Sequence, residues 1–431
     1  MKMKAVSSIE SIPANNTTSA SPVKVAMHVL SVVRTDYRVM REATALMEAG
    51  FDVSIVDAEE DHTRPLEEDI HNIHVKHIMQ RSWLIPSPRH FKIWFLIKYM
   101  RMIISATLRL MQIRADIYHA HDANALPACF LAAWFRHKPL IFDAHELPLD
   151  EPAITRWPRL YKLATRALAS ILSNCSGIIA TSPPTVQAIE KLYHVSSVTL
   201  VRNVPIYRNV PESDRLRKHL DLGPEVCIAL YQGYLQDDRG LDRLVRAAEF
   251  LKPNTLIVMM GKAMPSTQAH LKALIASKGV AERVKILPPV PYAELLDWTA
   301  SADIGLAILP LDFSLAVQMM LPNKFFEYLM AGLPVLASPL RAIAEIIEAN
   351  DVGQVLNSLE PIDVAESINA LLADKEGLAR MHRNALIAAQ QEFHWEKERT
   401  RLLGLYRDIL GMRNEEALSS RTQSPEGDGL V

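Results

Sequence analysis

The sequence predicts an α/β protein built from two doubly wound domains of similar size. Three observations lead there. Apolar runs of strand length alternate with segments of helical period along most of the chain. A stretch rich in Pro, Asn and Gly, residues 202–224, breaks this alternation once, near the middle. The 431 residues are 49% hydrophobic and 22% charged, ordinary for a globular chain and more than one domain of about 150 residues would use.

In the first half, residues 23–30 read as a strand. Residues 37–49 follow at helical period, with Val39, Ala43, Leu46 and Met47 on one face and Gly50 where a C-cap glycine belongs. Residues 51–56 alternate as a strand. Strand, helix, strand at this spacing implies parallel pairing through a right-handed crossover. Residues 117–120, 139–142 and 177–180 read as further strands, with helices at 123–135 and 159–172, and residues 198–201 close this half. The second half repeats the pattern. Its strands are 227–232, 256–260, 284–287, 304–308, 334–337 and 354–356; its helices are 241–251, 267–277, 292–300, 324–331 and 342–348. Helices at 361–373, 377–392 and 395–410 complete the chain. Residues 1–22 and 412–431 are polar tails expected to be disordered. Domains are therefore expected at 23–205 and 206–394, followed by a helix at 395–411.

Composition excludes several functions. The 47 Lys+Arg nearly balance the 49 Asp+Glu, so no net field draws the protein to nucleic acid. Cys129, Cys175 and Cys227 are too few and too scattered for a disulfide framework, and a reducing cytoplasm is the expected compartment. The N-terminus has no apolar core of signal-peptide length. The most apolar segment, 91–113, is interrupted by Lys92, Lys98, Arg101 and Arg109, which argues against a spanning helix. Neither half carries G-x-G-x-x-G or a Walker loop, which argues against a dinucleotide oxidoreductase or an ATPase.

Chemistry-bearing residues gather where strands end, the ligand position of doubly wound sheets. His119-Ala-His121-Asp122 closes one strand and Asp143-Ala-His145-Glu146 the next. His119 and His121 share one side of their strand, so these residues fit either a metal site or a ligand site without metal. In the second half, Gly233 ends the first strand and lets backbone approach a ligand, while Arg239-Gly240 opens a helix and supplies a bidentate phosphate donor. Pro322-Asn-Lys324-Phe-Phe-Glu327 begins another helix, with Lys324 and Glu327 on one face: a cation for phosphate, and a carboxylate able to accept from two vicinal ribose hydroxyls.

Taken in order, Asp36-Tyr-Arg38-Val-Met-Arg-Glu-Ala43, His119-Ala-His-Asp122, Asp143-Ala-His-Glu146, Gln232-Gly233, Arg239-Gly240-Leu241 and Pro322-Asn-Lys-Phe-Phe-Glu-Tyr-Leu-Met-Ala-Gly-Leu-Pro334 resemble the retaining glycosyltransferases of family 4, over residues 25–407. The resemblance implies the GT-B fold: two Rossmann-like domains facing a central cleft, with the final helix crossing back to the first. It implies an acceptor in the first domain, a nucleotide-diphospho sugar as co-substrate in the second, and no metal or other cofactor. Residue by residue, Glu327 corresponds to a ribose-binding glutamate, Arg239 and Lys324 to the diphosphate cations, His121 to a histidine lining the sugar site, and Arg38 and His145 to the acceptor side. The family pattern of two glutamates separated by seven residues is half kept, since Met319 stands at the first position. Tyr234 stands where many members have Arg. With no side-chain nucleophile apparent, front-face displacement assisted by the leaving diphosphate is the expected route.

The implied activity is transfer of a hexose-type sugar, with retention, to a glycan or lipid-linked acceptor in cell-surface polysaccharide or glycolipid synthesis. Rival readings are a metal-dependent hydrolase using the two His motifs, a nucleotide-sugar epimerase of the same fold, and a non-catalytic nucleotide-sugar-binding partner. Residues 70–115 contain no Asp or Glu. They hold Lys76, Arg81, Arg89, Lys92, Lys98, Arg101, Arg109 and Arg114, with Trp83, Phe91, Trp94, Phe95 and Tyr99. This pattern describes either a surface lying on anionic lipid at the inner face of the membrane or a core-packing helix with solvated basic residues.

Overall fold

The computed structural model describes residues 21–79, 92–149, 158–236, 239–311 and 315–422, without the side chains of 92–96, 160 and 412–422. The N-terminal tail up to residue 20 lies outside the described residues. So do Arg81, Trp83, Arg89, Phe91, Asp237, Asp238 and Asp312, and the side chains of Lys92, Trp94 and Phe95.

Strands β1 (Lys24–His28), β2 (Asp52–Glu59), β3 (Glu67–Ile70), β4 (Ile73–Met79), β5 (Ile117–His121), β6 (Leu140–Ala144), β7 (Gly177–Ala180) and β8 (Thr199–Leu200) form one sheet. Their order is β3-β4-β2-β1-β5-β6-β7-β8, parallel except where β3 runs against β4. Around it lie α1 (Tyr37–Glu48), α2 (Lys92–Gln112), α3 (Asp122–Arg136), α4 (Pro158–Leu172) and α5 (Pro183–Tyr193). The second sheet is fully parallel, in the order β11-β10-β9-β12-β13-β14. Its strands are β9 (Cys227–Gln232), β10 (Thr255–Met260), β11 (Val284–Leu287), β12 (Ile304–Ala307), β13 (Val335–Ala337) and β14 (Gly353–Val355). Its longer helices are α6 (Leu241–Ala247), α7 (Pro265–Lys278), α8 (Asn323–Met330), α9 (Arg341–Asn350), α10 (Pro361–Ala373) and α11 (Lys375–Gln391).

Parallel strands covered on both faces must be apolar throughout, and β1, β5, β6, β7, β10 and β12 are almost entirely buried. In each sheet the strand order reverses beside the first strand, between β1 and β5 and between β9 and β12. Crossovers leave in opposite directions there and open a crevice at the carboxyl ends. The expected crossing helix is α12 (Trp395–Thr422). Trp395, Leu402, Tyr406 and Ile409 pack into the first domain's core beside Val25, Val39 and Ile179. At Gly177 of β7 a Cβ would stand 3.0 Å from a Leu405 methyl, so a side chain there would make Leu405 and Ile409 of the helix shift.

Two expectations are corrected. The β3–β4 hairpin was not anticipated: β4 interleaves His74, Lys76 and His77 with its apolar residues, and the two short strands are turned by His71 and Asn72, both at positive φ. The last helix does not end at 411 but continues to Thr422, because helix formers follow Gly411 with no proline before Pro425.

Candidate active site

At the end of β9 the second domain builds an anion-shaped corner. Gly233 adopts φ +121°, which a side chain rarely tolerates. A Cβ there would make ordinary contact with Lys324 Cε at 3.5 Å, which places the lysine beside this turn. Lys324 sits on the first turn of α8, and its Nζ lies 3.5 Å from the centre of the Tyr231 ring. Its partly buried setting, with Arg239 close by, pushes its pKa down to about 7, against the opposing pull of Glu327. Two neighbouring cations that repel each other have a natural counter-ion in a ligand anion.

Glu327 lies one turn further along α8, 8% exposed. Its Oε2 accepts 2.6 Å from Gln232 Nε2, and Gln232 Oε1 in turn accepts 2.7 Å from Thr299. Burial raises the Glu327 pKa, while Gln232, Lys324 and Arg41 pull it down. The last two residues of β9 and the first helical turn of α8 thus form one unit, which Tyr328 locks from below. Its hydroxyl accepts from the Gln232 N–H at 3.0 Å and donates to the Leu230 carbonyl at 2.9 Å. Gln232 was quoted only as part of a motif, and its buried polar side chain at a strand end was the available signal.

Across the cleft, β5 and β6 end in a buried polar network. The Arg38 Nε and Nη2 donate to the two oxygens of Asp143, each at 2.8 Å, and Nη1 donates to the Val201 carbonyl at 3.0 Å. Glu42 Oε1 lies 3.0 Å from the same guanidinium. Burial alone would raise the Asp143 pKa, yet Arg38 and His145 hold it well below the usual carboxylate range. An ionised Asp143 only accepts, so His121 Nδ1, 3.1 Å away, donates to it. His121 Nε2 is buried and has no hydrogen-bond partner. His145 bridges Asp143 and Asp122, at 3.2 Å from each, and its pKa rises to about 9 because these carboxylates outweigh burial. Asp122 sits at φ +66°, a conformation Asp tolerates better than most residues, and also accepts from the His145 backbone N–H.

The structure therefore brings Glu327, Lys324, Gly233 and Arg239 together in one wall, and His121, His145 and Arg38 in the other. Arg38 was expected on the acceptor side. It is 4% exposed with its donors engaged by Asp143 and Val201, so it organises the network instead of facing the cleft. Glu42, His119, His121 and Asp143 place ligand atoms within 4.8 Å of one another, the kind of group that holds a metal. Arg38 already fills the cationic place between Asp143 and Glu42, so a dication there would meet a guanidinium.

This arrangement has known counterparts. Residues 37–204 match the family described as Glycosyltransferase Family 4, and residues 227–374 match Glycosyl transferases group 1. The chain belongs to this glycosyltransferase family. A D-inositol 3-phosphate glycosyltransferase of Xylanimonas cellulosilytica is 28% identical over 310 residues, 68% of this chain and 71% of that protein. Among solved structures, sucrose-phosphate synthase from Thermosynechococcus elongatus superposes with a TM-score of 0.74 at 16% identity, covering 90% of this chain and all of that one. Anabaena HepE, solved with UDP and glucose, gives 0.64 at 17% identity, covering 92% of this chain and all of that one. The fold is accordingly GT-B.

Two further features of this glycosyltransferase bear on the site. Met319 does not offer its side chain as a donor contact. It packs against the first domain's core cluster, and its carbonyl accepts from Ser182 Oγ at 2.6 Å. A cavity of about 630 Å³ also opens between the domains, from Glu327 to the linker at Pro205–Arg208 and the start of α12.

Proposed function

We propose that this glycosyltransferase moves a hexose-type sugar, with retention and without a metal, from a nucleotide-diphospho sugar to a glycan or lipid-linked acceptor at the inner face of the membrane, in cell-surface polysaccharide or glycolipid synthesis. The observation that carries the reading is Lys324 beside Gly233, with the charges of Arg239 and Glu327 both acting on it. Glu327 takes the ribose hydroxyls, and the two cations take the diphosphate. As the bond from sugar to phosphate breaks, negative charge grows on the leaving diphosphate, where Lys324 and Arg239 stabilise it. The leaving oxygen accepts the acceptor's proton on the face where the new bond forms. His121, fully buried and held to Asp143, backs the wall on the sugar side. Arg38 beside the candidate metal group, and Lys324 and Arg239 at the diphosphate, favour chemistry without a metal.

A thermal-shift panel of nucleotide sugars, run with excess chelator, tests this. One donor should stabilise the protein, by about 2.7 kcal/mol when present at a hundredfold excess over its Kd, and turnover should survive the chelator. One tightly held zinc per chain with chelator-sensitive activity would favour the hydrolase.

The membrane part rests on α2. Ile97, Met100, Ile104 and Leu108 are 43–58% exposed and recur every three or four residues along one face. Arg101 and Arg114 are exposed with them, and at the end of α3 so are Trp134, Phe135 and Arg136. Lys76 does not contribute, since it pairs with Glu67 at 2.8 Å. Among the described residues no helix is long and apolar enough to cross a membrane. Apolar side chains rimmed by cations fit an anionic lipid surface. The protein should co-sediment with anionic vesicles at low salt and release as salt rises, and Ile104→Glu with Leu108→Glu should abolish this while sparing nucleotide binding. A wild type that ignores such vesicles at low salt would point to a soluble acceptor.

A further inference from the structure

The 630 Å³ cavity is lined from both domains and from the two chain segments that join them. Glu327 stands at one end. Tyr292 comes from the second domain, Tyr37 and Arg41 from α1 of the first. Tyr37 and Tyr292 stack across the gap, with ring centroids 4.5 Å apart and planes 18° from parallel. Both stay well exposed, at 52% and 41%, although they touch. Two aromatic rings left open to solvent in a cleft make a poor core but a ready stacking platform. Arg41 donates to Asn203 Oδ1 at 3.3 Å and to the Val204 carbonyl, and it lies over the Trp395 ring at 5.5 Å. Its charge acts on both Tyr292 and Glu327. A cation of the first domain thus lines the same cavity as the carboxylate of the second that is read as the ribose site.

We propose that the nucleoside end of the donor is held by both domains: its base stacks on the Tyr37–Tyr292 platform, and Arg41 lies beside the ribose bound to Glu327. The inference rests on the donor reading above and adds to it that α1, on the acceptor half, contributes to donor affinity. The cavity volume holds a nucleoside with room to spare. The rest of its lining suits a planar ligand, with Pro205, Tyr207 and Trp395 on the linker side.

Calorimetry on the full chain tests this with UDP, GDP and ADP, the matching nucleosides, and inorganic pyrophosphate. Tyr37→Ala should weaken the preferred diphosphate and its nucleoside by the same factor, between about fivefold and a hundredfold for a lost stacking partner, while leaving pyrophosphate unchanged. Tyr37→Phe, which keeps the ring, should bind like wild type. If Tyr37→Ala weakens pyrophosphate equally, the stack merely closes the domains and the proposal fails. If Tyr37→Ala changes nothing while Glu327→Ala weakens the nucleoside, the proposal fails but the donor reading stands. If neither substitution matters, or the wild type binds none of the nucleotides, both fall.

Discussion

Lys324 decides how pH enters. With a pKa near 7, it is charged below neutrality and increasingly neutral above. A bound diphosphate favours the ammonium and raises its pKa, so binding above pH 7 takes up a proton. Diphosphate affinity should therefore fall as pH rises from 7, by up to tenfold per unit, and calorimetry in buffers of different ionisation heat should register the proton; Lys324→Ala should lose both effects. His145 carries a second linkage. Its folded pKa of about 9 exceeds the ordinary 6.5, so its stabilising contribution is full below pH 6.5 and disappears as pH rises through 9. The stability gap between wild type and His145→Gln should narrow over that window in denaturant titrations. Arg38 is a matter of folding. Arg38→Ala leaves Asp143 and Glu42 buried without their cation, a loss of about 3–5 kcal/mol, and Arg38→Lys should not rescue it because the contact is bidentate. At this scale the sequence was legible for residue type and less so for direction. The spacing of Lys324 and Glu327 on one helical face was enough to join them. Nothing in Asp36-Tyr-Arg38 says whether Arg38 faces the cleft or the sheet, because that depends on Asp143, far along the chain.

Among the elements, the parallel strands were the most legible, since burial on both faces leaves unbroken apolar runs such as Cys-Ile-Ala-Leu-Tyr-Gln in β9. The β3–β4 hairpin was hidden because its edge position lets charged residues into both strands. Its polar residues pair with each other and with the neighbouring β2, as where His77 sits between Asp57 and Glu68. The crossing helix α12 was visible as a helix, but its docking face emerges only from contact with β7 and β8. Leu402 is fully buried there, so Leu402→Ala should cost about 2–5 kcal/mol in chemical denaturation. A smaller loss would mean that the first domain is stable without this cover.

For the whole molecule, the two sheets bring their switch points face to face, and side chains of the two domains touch across the cleft. Ser182 holds the Met319 carbonyl, Arg341 reaches Gln187 at 3.3 Å, and Tyr37 stacks on Tyr292. None of these pairings was legible in the sequence, because each joins residues over a hundred positions apart that do not share an element. The family motifs did place the two walls, since they fall at strand ends whatever the domain orientation. The central claim is that the wall of Gly233, Lys324 and Glu327 reads a nucleoside diphosphate in two separate parts. The most direct measurement compares nucleoside and nucleoside diphosphate affinities in wild type, Glu327→Ala and Lys324→Ala. Glu327→Ala should weaken both ligands by about 10- to 100-fold without unfolding the protein, the loss of hydrogen bonds to a charged group. Lys324→Ala should weaken the diphosphate far more than the nucleoside. Equal losses for both ligands in Lys324→Ala, or an unchanged nucleoside affinity in Glu327→Ala, would contradict it.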